Sequence, residues 1–288
     1  MRRPRSDAAV SAATRTATLA IIAGTGSLPL QLVLALEARG ELYLLAEIDG
    51  FPIEVDRQRE RFRVERLALF IDRLHDLGIM RVVFAGAVRR PRLDPALFDP
   101  FTAAMVPRLV AAMQAGDDAT LREVIAIFEE CGFEVVGADA IAPDLVPGPG
   151  VLGRYEPGDA DRADVARAEA IVAALGSVDV GQGAVVAQGL CLAVEALPGT
   201  DAMLAEAARH AHLRPDPDGA GGVLLKAVKP GQDRRVDLPT LGLETLRMAR
   251  AAGLAGIAFQ AGGVLLLDRA EMVAEADECG MFLWSKAL

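Results

Sequence analysis

Seven charged or amide side chains follow one apolar run: Lys226, Lys229, Gln232, Asp233, Arg234, Arg235 and Asp237, set around a Pro230-Gly231 turn. The chain has 30 basic residues but only three lysines, and two of the three stand here. An ammonium on a flexible stem and a planar guanidinium are complementary ways of meeting phosphate oxygens. Aspartates beside them offer hard oxygen donors to a divalent cation, or an acceptor that orients water. The segment has the composition of a phosphate site with a carboxylate for a metal or a water.

Other polar groups stand at predicted strand ends of the same half: Gln188, Glu195, Asp201, Lys226, Lys229, Asp233 and Asp237. Carboxylates next to lysines suit magnesium and a phosphate ester better than zinc, which favours His and Cys. No Gly-x-Ser-x-Gly elbow is present, and three histidines leave little from which to build a Ser/His/Asp triad. Metal-assisted attack of water on phosphorus is the chemistry that fits. Thr200 or Asp201 also suits the cap of a following helix.

The first half carries two further candidates. Gly24-Thr25-Gly26-Ser27 ends an apolar run and opens a helix, where backbone N–H groups favour an anion. It lacks the third glycine of a dinucleotide fingerprint and the Lys-Ser/Thr of a P-loop, so a plain tight turn is the alternative. Glu47 and Asp49 lie near the distance expected of a ribose-binding acid. Arg89, Arg90 and Arg92 follow another strand end, on the edge where open α/β sheets bind ligands; a solvated basic loop is the alternative. Asp118 reads as a helix cap.

These groups need elements to hold them. Short apolar runs at Thr18–Ala23, Leu42–Glu47 and Arg81–Gly86 alternate with helical patterns, one with Leu30, Val33 and Leu34 on a shared face and one over Arg66–Leu77. That order predicts an α/β protein with an N-terminal Rossmann-like parallel sheet. Proline and glycine crowd Ala142–Gly150, the predicted linker, so the expected division is a disordered tail over 1–16, a first domain over 17–145 and a second over 151–288. The second half reads as mixed α/β, with a hairpin turning at Gln188-Gly189. A homodimer paired through an exposed strand of that domain is one assembly this allows.

A net charge of −10 argues against a nucleic-acid binder. Cys131, Cys191 and Cys279 are odd in number and far apart, and read as buried thiols of a reducing cytoplasm. No uninterrupted apolar stretch is long enough to span a bilayer.

The blocks Ile22–Pro29, Ala85–Pro91, Gly116–Asp118, Glu195–Leu204 and Lys226–Pro239 together resemble the LpxI family, over about Leu19 to Trp284. The resemblance implies hydrolysis of UDP-2,3-diacylglucosamine to UMP and 2,3-diacylglucosamine 1-phosphate in lipid A biosynthesis. It also implies magnesium, a substrate held between two domains, and work as a peripheral protein at the cytoplasmic face of the inner membrane. By motif, Asp233 is the carboxylate most needed, as a magnesium ligand (with Asp237) or by orienting water. Lys226, Lys229 and Arg235 hold the phosphates, and Thr200 and Asp201 line the same pocket. Gly24, Thr25, Gly26, Arg89, Arg90, Glu195 and Gln232 complete the expected substrate contacts. Phe98, Phe101 and Met105 would offer apolar surface to acyl chains, core packing being their other use. A binding protein without turnover, or a sugar-nucleotide transferase, are the alternatives.

Overall fold

A computed structural model describes residues 17–89 and 93–288. The expected tail over 1–16, Arg90 and Arg92 lie outside the described residues.

In the first half β1 (Leu19–Ala23), α1 (Leu28–Ala38), β2 (Tyr43–Ile48), β3 (Glu60–Phe62), α2 (Leu67–Asp76), β4 (Arg81–Ala85), α3 (Pro100–Ala115), α4 (Asp117–Glu130), β5 (Glu134–Val136) and α5 (Ala138–Ile141) follow one another. Their strands form a parallel sheet in the order β3-β2-β1-β4-β5. Every residue of β1 is buried, because a central parallel strand is covered on both faces. Leu19, Ile21 and Ala23 face α1, while Ala20 and Ile22 face α2 and α4. On α1 the buried stripe is Leu32, Val33 and Leu36, and Leu34 is exposed. The expected face was rotated because Pro29 sets the start of the helix and Leu32 lies one turn beyond Leu28.

The second half contains β6 (Gly150–Leu152), α6 (Asp159–Gly176), β7 (Gly183–Ala187), β8 (Leu190–Val194), α7 (Gly199–Arg209), β9 (Val223–Lys226), β10 (Thr240–Leu241), α8 (Leu243–Ala251), β11 (Gly256–Gln260), β12 (Leu265–Leu266), α9 (Arg269–Cys279) and β13 (Phe282–Lys286). Its main sheet runs β6-β13-β11-β9-β7-β8. The centre is parallel and both edges are antiparallel. Leu145 packs in the first core, whereas β6 pairs with β13. The thiols are less buried than expected: Cys131 and Cys279 are partly exposed and Cys191 is exposed on the edge strand β8.

Leu238, Leu265 and Leu267 of the second half lie in the same apolar cluster as Leu32, Val33 and Ile141 of the first. The two halves therefore share a core along one seam, and the loop after β9 runs along it.

Candidate active site

The strand order of the first sheet reverses between β1 and β4, the switch point at whose carboxyl edge open α/β sheets take ligands. A cavity of about 260 Å³ lies there. Thr25, Gly26, Ser27 and Ala87 wall it from the first half, and Arg234, Arg235, Asp237 and Thr240 from the second. Phe84, Leu238, Leu265 and Leu267 add an apolar side.

The first two N–H groups of the turn after β1 are spent on the backbone beside it. Gly24 N donates to Ala85 O at 2.8 Å, Thr25 N to Ala87 O at 2.9 Å, and Ala87 N returns a bond to Thr25 O at 2.8 Å. Thr25 Oγ1 also donates to Ala87 O, at 3.1 Å. A Cβ at Gly24 would stand 2.5 Å from Ala87 O, and one at Gly86, whose φ is +89°, 2.5 Å from Thr25 O. Both glycines exist for this close backbone approach, so the Gly24 and Thr25 N–H groups are committed within the protein. Thr25 and Gly26 remain part of the cavity wall; Gly24 is buried behind it. Glu47 is likewise committed, to Arg59 at 2.8 Å and Arg61 at 2.7 Å, which leaves no free acid for a ribose at that strand end.

The loop after β9 gathers the charged groups. Alternation along β9 sends Val223 and Leu225 towards α6 and Leu224 and Lys226 to the opposite face. Lys226 is 5% exposed, and its Nζ lies 3.6 Å from Glu195 Oε1 and 3.3 Å from Thr240 O. Glu195 is itself buried, takes a 2.6 Å bond from Thr200 Oγ1, and has no hydrogen-bond partner on Oε2. Thr200 thus orients a carboxylate instead of capping α7, and Asp201 stands exposed in the first turn of that helix.

Lys229 Nζ meets Asp179 Oδ1 at 2.6 Å, just beyond the end of α6. Gln232 folds the loop on itself: its Oε1 accepts from Lys229 N at 3.0 Å and its Nε2 donates to Asp237 Oδ2 at 2.6 Å. Asp233 accepts from Arg235 N and Nε, both at 3.0 Å, and from the Arg235 terminal nitrogen at 2.7 Å. Arg235 also reaches Glu129 on α4 at 2.6 Å, which pins the loop to the first half.

The two aspartates are pushed apart. The Arg235 guanidinium bonded to Asp233 holds that carboxyl below the usual aspartate range. Burial pushes Asp237 up, against the pull of Lys229. Asp233 raises Arg235 further above its ordinary value, with Glu129 adding to it.

Among the described residues, no three His, Cys, Asp or Glu side chains are grouped to hold a metal ion. Magnesium is commonly held by one or two carboxylates together with substrate phosphates. Asp237 suits that role as it stands, and Asp233 suits it once Arg235 turns to another anion.

Of the expected residues, Lys226, Glu195 and Thr200 form one linked set, Gln232 ties Lys229 to Asp237 in a second, and Asp233 pairs with Arg235 in a third; Arg235 and Asp237 share the cavity wall with Thr25 and Gly26. Arg89 is exposed and Gly24 serves the backbone clasp. Sequence reasoning missed Asp179, Glu129 and Thr240. Asp179 carried a signal, a polar residue between two valines just after a helix-ending glycine; it adopts φ +58°. Asp118 forms an ion pair with Arg122 at 2.7 Å rather than the expected cap.

The LpxI N-terminal domain matches residues 18–145 and the LpxI C-terminal domain residues 148–284. A protein of Caulobacter vibrioides named UDP-2,3-diacylglucosamine pyrophosphatase LpxI is 38% identical over 271 residues, covering 92% of this chain and 96% of that protein. With both domains present in order and the charged loop at their seam, the chain belongs to the LpxI family.

Proposed function

We propose that the chain hydrolyses the pyrophosphate of UDP-2,3-diacylglucosamine, releasing UMP and 2,3-diacylglucosamine 1-phosphate for lipid A synthesis. The observation that carries this reading is the convergence of Lys226, Lys229, Arg235 and two unlike aspartates along one seam beside a cavity. The activity for which the Caulobacter relative is named supports it.

Two linked phosphates need cations that are held in place but not neutralised beyond recovery. Lys229 and Arg235 each pair with a carboxylate now, and an incoming phosphate would take over those N–H groups. Asp233, kept ionised by Arg235, would then be released to orient water or to bind magnesium with Asp237. Magnesium, when bound, would offset charge on the phosphate oxygens.

Water attacks the phosphorus nearer the sugar, the bond from that phosphorus to the bridging oxygen breaks, and UMP leaves with that oxygen. Asp233, once released, orients that water and takes its proton, while Asp237 would be left to hold magnesium. Lys226 with Glu195 and Thr200 forms the buried floor that fixes the strand end.

Phosphorus NMR in water enriched in heavy oxygen tests the reading. UMP without label and lipid 1-phosphate with label are expected. Label in UMP would move the attack to the other phosphorus, and binding without turnover would make the chain a binding protein.

A further inference from the structure

Arg234 and Arg235 are neighbours in the charged loop, yet their guanidinium groups stand in opposite situations. The chain turns over 233–236, with the two arginines at the central positions and Val236 N directed at Asp233 O. The Asp233 carboxylate accepts from Arg235 N at 3.0 Å, a side-chain bond to the backbone two residues on that fixes such a turn. Arg235 points towards the first half, where Glu129 accepts from it at 2.6 Å and Val236 packs against the core beside it. Its guanidinium is thus bonded to two carboxylates, Asp233 and Glu129.

Arg234 points the other way. One of its terminal nitrogens lies 4.0 Å from where a Cβ would stand at Gly262, in the turn after β11 of the second half. It walls the seam cavity and is exposed there. Although the chain has 40 acidic residues against 30 basic ones, Arg234 makes no ion pair, hydrogen bond or ring contact among the described residues. Asp237 is the one carboxylate among the described lining residues of that cavity, and its Oδ2 is already taken by Gln232 Nε2 at 2.6 Å. The cavity therefore holds one guanidinium whose charge nothing in the protein answers.

We propose that Arg234 is a substrate-binding residue of the seam site and holds the phosphate on the nucleotide side of the pyrophosphate. This rests on the hydrolytic reading above, in which Asp233 and Arg235 serve the attacked phosphorus nearer the sugar. The departing phosphate is then left to the cation on the cavity side. An unpaired guanidinium takes a phosphate without first giving up a carboxylate, and its planar fork meets two phosphate oxygens at once. Arg235 and Lys229 must exchange partners to bind, whereas Arg234 has none to exchange. Two adjacent arginines thereby serve two linked phosphates: one is in place before substrate arrives, and the other frees Asp233 as it turns. When the bond to the bridging oxygen breaks, negative charge gathers on UMP, and Arg234 offsets it.

Calorimetric binding of the two products, beside steady-state kinetics, tests the assignment in wild type, Arg234→Ala and Arg234→Lys. Arg234→Ala should weaken UMP binding about ten- to a hundred-fold, the range of one charge-assisted pair, and raise the Michaelis constant with it. Binding of 2,3-diacylglucosamine 1-phosphate should change little, and Arg234→Lys should recover part of the UMP affinity. The melting temperature should stay at the wild-type value, because Arg234 has no partner in the protein to lose. Unchanged UMP binding in Arg234→Ala, or an equal loss for both products, overturns the assignment while wild-type turnover keeps the hydrolytic reading. A wild-type chain that binds UMP without ever turning substrate over sinks the hydrolytic reading instead. The UMP affinities of the two variants then still decide whether Arg234 holds the nucleotide phosphate.

Discussion

Two loops face the same seam and solve opposite problems. The turn after β1 has two glycines, and the N–H groups of Gly24 and Thr25 close onto the strand end and loop of β4 in backbone bonds. The loop after β9 carries six charged or amide side chains, several of them partnered by other side chains. Backbone bonds of the first kind fix geometry and exchange for nothing. Side-chain ion pairs of the second kind can be traded for the oxygens of a ligand, because a phosphate offers the same acceptor geometry as a carboxylate. Of the glycine-rich βα turn, the Gly24 and Thr25 donors are therefore out of reach of an anion.

The sharpest break between the loops is at Asp233. Asp233→Ala should lower turnover by about a hundred- to a thousand-fold, in the range seen when an electrostatic group is lost from an active site, while substrate still binds. Calorimetric binding beside a rate assay separates these effects. Near-normal turnover would remove Asp233 from the chemistry.

Next in size is Lys226→Ala, which leaves the Glu195 carboxylate buried without its cation. Breaking a buried pair from one side costs about 3–5 kcal/mol, so denaturant unfolding should show a large loss. Adding Glu195→Gln should recover part of it. Unfolding at the wild-type midpoint would mean that the pair contributes little to stability.

On the other loop, Gly24→Ala forces a methyl against Ala87 O and should destabilise by about 1–3 kcal/mol. The expected signature is a lowered melting temperature with the Michaelis constant nearly unchanged. A raised Michaelis constant at unchanged stability would restore the turn as a ligand site.

The pH profile offers a finer test. Holding magnesium needs an ionised carboxylate, and burial raises Asp237, so at limiting magnesium the rate should fall with acid at a pH above the ordinary aspartate range. Asp237→Asn should abolish that limb together with most of the rate. Asp233 moves the other way: its lowered folded pKa gives stability that is full above the ordinary aspartate value and lost as pH falls through the folded value. An unfolding series at acid pH in wild type and Asp233→Asn would resolve it.

The smallest effect belongs to Glu129→Gln. The Glu129–Arg235 pair is well exposed on both sides, and such pairs contribute below about 1 kcal/mol. A larger loss would show that this contact holds the halves together.

Local pattern was enough for the alternating first half, because buried parallel strands such as Leu19–Ala23 and Arg81–Ala85 are short apolar runs bounded by glycine. It was also enough for the charged loop, since a concentration of lysine in an arginine-rich chain is visible without coordinates. Helix starts and faces were less legible. Leu34 and Leu36 look alike in sequence, and only the register set at Pro29 buries one and exposes the other.

Partner choice was decided in three dimensions. Asp179 and Lys229 are 50 residues apart, and Arg235 and Glu129 are 106 apart. Strand β13 was not predicted at all, though it is an interior strand of the second sheet, paired on both sides. Residue types and short-range spacing thus determined the chemistry on offer and the class of fold. Tertiary structure decided which donors stay free, because a hydrogen-bonding group is used up by whatever distant neighbour the chain brings within 3 Å or so of it.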